Sequence, residues 1–380
     1  MVVIVFFTFI GIFLFSDLIN AKSKMGLTIV AALVLGMIMG GGYDIPDYSM
    51  YDSMYTASIV NFNYSFDYKD SGQGGYSRNI GYTILNNIFG TLGLSYQEYK
   101  IFTSIILLLL LLLYIKKIVP KISFVLLLYV LYPFFMDIIQ LRVFYTEVIL
   151  LIAVYYLSKY DRNKLGVFVF CVLVMLSGMF HSMGWLWLLF IPFRLLLQSK
   201  KFKFISWLFI ITGILLPVYA SFISNSFLPI MYMMAESDVT AHYQIYTMRD
   251  TVRLGYLYVW GYDLALAGLL YKMKKIMIES SSTQLQKMFV TNTYNLFLFV
   301  ICILPASAIA TESFRWSRVL MIESYIALVI YTMYETNHIR RNLIAFCLLL
   351  VTILASYLNF YEGSSEFVLS SFVNNVFFDW

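Results

Sequence analysis

Charge is what this chain has least of. Of its 380 residues only 12% are Asp, Glu, Lys or Arg, against the ~25% with which a soluble domain covers its surface. Hydrophobic residues make up 61%, and the mean hydropathy is +0.79. Burying all of this in one soluble core is excluded, because single cores stop growing near ~250–300 residues. Cysteine is scarce too. Cys171, Cys302 and Cys347 are the only three, each inside an apolar run, so neither a disulfide framework nor a thiolate metal site is expected. The three histidines are far apart, which argues against a structural metal. No P-loop and no GxGxxG occurs, nor a serine elbow or HExxH. No cofactor, metal or nucleic acid partner is therefore expected. The first apolar run, residues 2–15, lacks a basic leader and a small-x-small cleavage site, and is read as a span rather than a signal peptide. Internal repeats and matched pairs of Gly/Pro-broken helices, which mark inverted-repeat transporters, are missing.

Long apolar runs are what the chain does have. Runs near ~20 apolar residues read as spanning helices. The expected fold is an all-α polytopic membrane protein, one integral domain over 1–380, with about twelve spans near 2–16, 26–42, 101–115, 122–138, 142–158, 165–180, 183–197, 204–223, 254–271, 288–308, 319–334 and 342–358. The aromatic share of 18% suits tyrosine and tryptophan belts at both interfaces. Basic clusters fall in alternate loops: Lys22/Lys24, Lys116/Lys117/Lys121, Lys159/Arg162/Lys164, Arg194/Lys200/Lys201/Lys203, Lys272/Lys274/Lys275/Lys287 and Arg340/Arg341. By the positive-inside rule these 18 of 26 cations face the cytoplasm, and both termini face outward. The outer side then carries the two long loops, 43–100 and 224–253, expected to hold short interfacial helices. It also carries six of the ten arginines: Arg78, Arg142, Arg249, Arg253, Arg315 and Arg318. Chemistry is expected on that face.

The first outer loop opens GGYDIPDYSMYDSMY, residues 41–55, interleaving Asp44, Asp47 and Asp52 with tyrosines. If helical after Pro46, Tyr48, Tyr51 and Tyr55 share one face. Aromatic faces beside carboxylates suit sugar rings, and the same pattern suits an interfacial helix anchored by tyrosines. The stretch 75–99 is apolar at helical spacing but too polar to span, and it should lie along the outer interface behind Arg78. QLRVFYTEVILL, residues 140–151, sets Gln140, Arg142 and Glu147 into a long apolar run. Arg142 and Glu147 are five apart, roughly 140° around a helix, so they do not pair within it. An ionisable group inside a span costs ~2.5–3.5 kcal/mol on insertion scales and marks a site or an interhelical ion pair. His181 falls in a tight turn between two spans, where it can bond a phosphate, move a proton or simply cap the turn. Arg315 and Arg318 flank Trp316 one turn apart, and Arg249 and Arg253 are four apart. With Arg142 they form a candidate anion site at the outer interface, where a lipid-linked diphosphate would lie.

These stretches resemble the EpsG-like family of bacterial exopolysaccharide polymerases. GYDIPDYSMY resembles that family's Gly-x-Asp-x-x-x-Tyr pattern, with Asp44 and Tyr48 in the defining positions. RNIGYTILNNIF resembles its Glu-x-Gly-Tyr helix, with Asn79 in place of the glutamate. QLRVFYTEVILLIAVYYL resembles its Arg-Gln-x-Ala span, with Val143 where Gln often follows the arginine. MFHSMGWLWLLF resembles its histidine turn, and SFRWSRVLMIESYIALVIY and SFVNNVFFDW its C-terminal end. The resemblance implies a Wzy-type glycosyltransferase of the bacterial cytoplasmic membrane, as in capsule or O-antigen assembly. It would act from the outer face without metal and join repeats carried on undecaprenyl or another polyprenyl diphosphate, with a chain-length regulator as a candidate protein partner. In that frame Arg142, His181 and Asp44 are the expected catalytic residues, with His181 or a carboxylate as base. Arg315, Arg318, Arg249, Arg253, Arg78, Asp47, Tyr48, Gln140 and Glu147 are expected to bind substrate. Two other readings stay open. One is a ligase acting on the same lipid-linked glycans. The other is a flippase or transporter, which Glu147, Asp263 and Glu323 would favour if buried in mid-span.

Overall fold

The computed structural model describes residues 24–43, 45–60, 79–161, 163–200, 203–215, 255–303, 315–360, 371 and 373–377. Every regular element among them is helical, and the extended pairing among them is an antiparallel bridge between Gly42 and Asn375. In chain order the helices are α1 (Lys24–Gly41), α2 (Tyr48–Val60), α3 (Ile80–Thr91), α4 (Tyr96–Ile118), α5 (Ile122–Leu131), α6 (Phe134–Ile139), α7 (Leu141–Lys159) and α8 (Lys164–Phe180). A 3-10 helix (Ser182–Leu189) then runs into α9 (Phe190–Gln198), followed by α10 (Lys203–Leu215), α11 (Gly255–Glu279), α12 (Gln284–Ile303), α13 (Arg315–Arg318), α14 (Met321–Tyr334) and α15 (His338–Phe360).

Among the described residues three helices are long and apolar enough to cross a membrane: Tyr96–Ile118, Leu141–Lys159 and His338–Tyr357. Shorter apolar helices accompany them, including Ile122–Leu131, Lys164–Phe180 and Phe204–Leu215. The described residues are thus all-α, and the protein is membrane-type. The expected span at 2–16 and the loop at 224–253 lie outside the described residues.

Several boundaries differ from expectation for local reasons. The helix expected from 101 starts at Tyr96, because Ser95 and Glu98 form a capping box: the Glu98 N–H donates to Ser95 Oγ, and the Ser95 N–H donates to Glu98 Oε2. Each bond satisfies a backbone donor that the helix start would orphan. The run 122–138 is two helices, because Pro133 has no N–H for the ladder and pushes Tyr132 into an extended conformation. The run 183–197 opens as a 3-10 turn, and the run from 319 is preceded by the separate short α13.

Exposed apolar side chains run in stripes. Phe102, Ile106, Leu110 and Leu113 line one side of α4, while Leu107, Leu108, Leu111, Leu112 and Ile115 are buried on the other. Ile339, Leu343, Phe346, Leu350 and Leu354 do the same on α15. Water would penalise such continuous apolar stripes, and lipid does not. At the centre stands α7, buried along nearly its whole length and packed against α4, α8 and α12. The α1–α4 contact is close: a Cβ at Gly40 would lie 2.4 Å from the Ile101 Cα. That approach fixes where α1 hands over to the loop carrying Gly42 and Tyr43.

Candidate functional site

The site is built at one end of α7. Pro46 and Asp47, the latter at φ 64°, turn the chain into α2, whose Tyr51 and Tyr55 are buried while Tyr48 is half-buried. The expected common face exists, but Tyr51 and Tyr55 are turned inward and are not a sugar platform. Tyr55 donates to the Leu94 carbonyl (2.8 Å) and stacks on Tyr99. Tyr51 meets Tyr82 of α3 edge to face, with ring centres 6.1 Å apart. Arg142, the second residue of α7, lies over both rings, its Cζ 5.0 Å from the centre of Tyr51 and 5.8 Å from that of Tyr82. Its Nε donates to the Tyr51 hydroxyl (3.3 Å). The aromatic rings therefore hold the guanidinium in place and leave it half-exposed.

His181 closes α8 and opens the 3-10 helix. Its N–H donates to the Ser177 carbonyl (3.0 Å), and the Met183 N–H donates to His181 Nδ1 (3.2 Å). Burial, then the positive charges of Arg142, Arg315 and Arg318, hold its pKa down at about 3. Arg142 of α7 and Arg315 and Arg318 of α13 thus all contribute positive charge at one imidazole. The turn is tight, since a Cβ on Gly184 would sit 2.4 Å from the Gly178 N.

The two arginines of α13 do not form the expected clamp. Arg315 is half-buried, whereas Arg318 is fully enclosed (0% exposed) and points into the bundle. Arg318 Nη2 donates to Gln140 Oε1 (2.7 Å), and its Nε is 4.0 Å from Asp137 Oδ1. Tyr129 donates to the other Asp137 oxygen (3.1 Å). Glu147 is fully buried beside Asp137, Arg318 and Glu323. Glu147, expected to bind substrate, is thus buried with Asp137 and Arg318, and the half-buried Gln140, also expected to bind substrate, is taken up by its bond from Arg318. Asp263, near Tyr262 and Ser317, is buried as well.

Asp47 is exposed, just ahead of Tyr48 in the turn that opens α2. Asp44, Arg78, Arg249 and Arg253 lie outside the described residues. Sequence reasoning missed Lys100, which is 1% exposed, donates to the Gly42 carbonyl (2.8 Å) and lies 5.5 Å from the Tyr48 ring centre. It pins the start of the loop that leads to Asp44. The available signal was a lone lysine one turn into a long apolar run behind a capping box. Asp137 was missed too, an acid inside the run FFMDII.

Chemically the cluster offers positive charge and one imidazole in a membrane-type protein, with Arg142 held by two tyrosine rings and Arg318 by Gln140 and Asp137. It suits binding of a doubly charged oxyanion such as a diphosphate. A model of the EpsG family matches residues 25–373. No curated protein and no solved structure matches the chain.

Proposed function

The chain belongs to the EpsG family, and from that premise we propose that it is a polysaccharide polymerase acting on the outer face of the bacterial cytoplasmic membrane. Its substrates are oligosaccharide repeats carried on a polyprenyl diphosphate. The reaction breaks the bond between the donor sugar's anomeric carbon and the diphosphate, and the diphosphate leaves with the electron pair. The same carbon bonds to a hydroxyl oxygen of the next lipid-linked repeat, and that hydroxyl gives its proton to a carboxylate of the first outer loop. Charge accumulates on the leaving diphosphate, and pre-set cations next to it lower the barrier.

Arg142 and Arg315 are placed here on the diphosphate together with His181. Gln140 and Asp137 orient Arg318, whose charge adds to the field, and Glu147 is buried beside Asp137 and Arg318. Asp44, Asp47, Tyr48 and Arg78 of the first outer loop are placed on the sugars. Arg249 and Arg253 of the second loop are a further anion contact. The observation that carries the reading is the half-exposed Arg142 guanidinium held over the rings of Tyr51 and Tyr82 at one end of α7, with the His181 ring of the neighbouring turn feeling its charge and those of Arg315 and Arg318.

The test is Arg142→Ala in the native host, with membrane abundance checked and polymer length read on a blot. The expected result is collapse of long chains to single repeats at unchanged abundance, a loss of about 10²–10³-fold in rate. Long chains at normal abundance reject the role.

One observation favours a second reading, a transporter: Glu147, Asp263 and Glu323 are enclosed in helices, where ionisable groups mark translocation paths. A host lacking a polymerase still displays single lipid-linked repeats outside, whereas one lacking a flippase displays none. A host lacking a ligase instead accumulates free lipid-linked polymer.

A further inference from the structure

Resting on the polymerase reading, we infer that His181 is a neutral hydrogen-bond donor, through Nε2–H, to a phosphate oxygen of the lipid diphosphate, and is not the base that takes the acceptor's proton. A backbone N–H can only donate, so the 3.2 Å bond from the Met183 N–H requires a bare lone pair on His181 Nδ1. A neutral imidazole carries one proton, and with Nδ1 bare that proton is on Nε2. Protonating the ring means placing a second proton on Nδ1, facing another N–H, which breaks the cap. Accepting a proton at Nε2 is impossible while that nitrogen already holds one.

The surroundings act in the same direction. Arg142 of α7 and Arg315 and Arg318 of α13 are the charges that act on the ring, and no carboxylate of a described residue is among them. A base in such a field would be made weaker, whereas a donor is made better. Nε2 makes no hydrogen bond among the described residues, so it is the nitrogen left for a ligand. Next to guanidiniums, that ligand is an oxyanion. Proton acceptance then falls to another group, of which the carboxylates of the first outer loop are the nearest in chemistry.

Two substitutions separate donor from cap. His181→Asn keeps a side-chain acceptor for the Met183 N–H, Asn being a favoured cap, and deletes Nε2–H. His181→Gln weakens the cap but restores a side-chain N–H at similar reach. Purified protein in lipid nanodiscs is given a polyprenyl-diphosphate-linked repeat. His181→Asn is expected to keep its thermal midpoint and lose about 10²-fold or more in rate, and His181→Gln is expected to recover part of it. An Asn variant as fast as the parent overturns the inference and leaves the polymerase reading intact. A parent chain that consumes no such repeat overturns both.

A second readout does not use turnover. In nitrogen-15 spectra of the ring, identified by its loss in His181→Asn, the Nε2–H tautomer should persist without titrating between about pH 5 and 8. An Nδ1–H tautomer, or a midpoint inside that window, overturns the donor role.

Discussion

Arg142 and Arg318 look alike in the sequence, each an arginine embedded in apolar surroundings, and the structure separates them. Arg142 is half-exposed over two tyrosine rings. Arg318 is enclosed against Asp137, Gln140 and the neighbouring Glu147. Removing Arg318 strips a layer of buried carboxyls of its cation, and breaking such a pair costs ~3–5 kcal/mol. Arg318→Leu should therefore lower membrane abundance and the thermal midpoint, whereas Arg142→Ala should leave both alone and abolish polymer. Quantitative blotting of the two variants side by side checks this. His181 adds a pH dependence. Its folded pKa of about 3 lies below the ~6.5 of a free imidazole, so the unfolded chain binds the extra proton. Stability from this group is complete above ~6.5 and is lost as pH falls toward 3. Thermal midpoints against pH should fall less steeply for His181→Asn than for the parent. The charged members of the cluster were legible in sequence because ions are conspicuous in apolar runs. Tyr51 and Tyr82 were not legible as the holders of Arg142, since with 31 tyrosines only packing reveals which rings meet a guanidinium.

At the level of elements, short backbone devices set the site's geometry. The turn at His181 exists because Gly184 lets the 3-10 helix pass within contact of Gly178 and Ser177. Gly184→Ala would drive a Cβ into backbone that cannot yield. It should cost ~1–3 kcal/mol and reduce polymer through misplacement of His181, seen as a lower thermal midpoint with lower rate per folded molecule. Ser95→Ala should cost ~1 kcal/mol by removing the cap of α4, without changing rate per folded molecule. Helix content was legible from apolar periodicity, and helix ends were not. The capping box extends α4 back to Tyr96, Pro133 splits the following run, and α13 stands apart from α14, all short-range effects that a window of hydropathy averages away.

For the whole molecule the account is one of sidedness and of charge held at a surface. The stripes of exposed apolar residues on α4 and α15 fit a lipid surround. The lysines after α7, near Lys159 and Lys164, are placed at the far end of that helix from Arg142 by its 19-residue length. The membrane class could be read from composition alone. The layer of buried Asp137, Glu147 and Arg318 with the half-buried Gln140 could not, because it joins α6, α7 and α13 across about 180 positions of chain. The most direct test is binding of polyprenyl diphosphate to the purified protein in nanodiscs, comparing the parent with Arg142→Ala and Arg315→Ala. Hydrogen bonds to charged groups are worth ~1.5–3 kcal/mol, so each variant should bind about 10–100-fold more weakly, with polyprenyl monophosphate bound less tightly than diphosphate by the parent. Equal affinity of parent and both variants for the diphosphate would contradict the account.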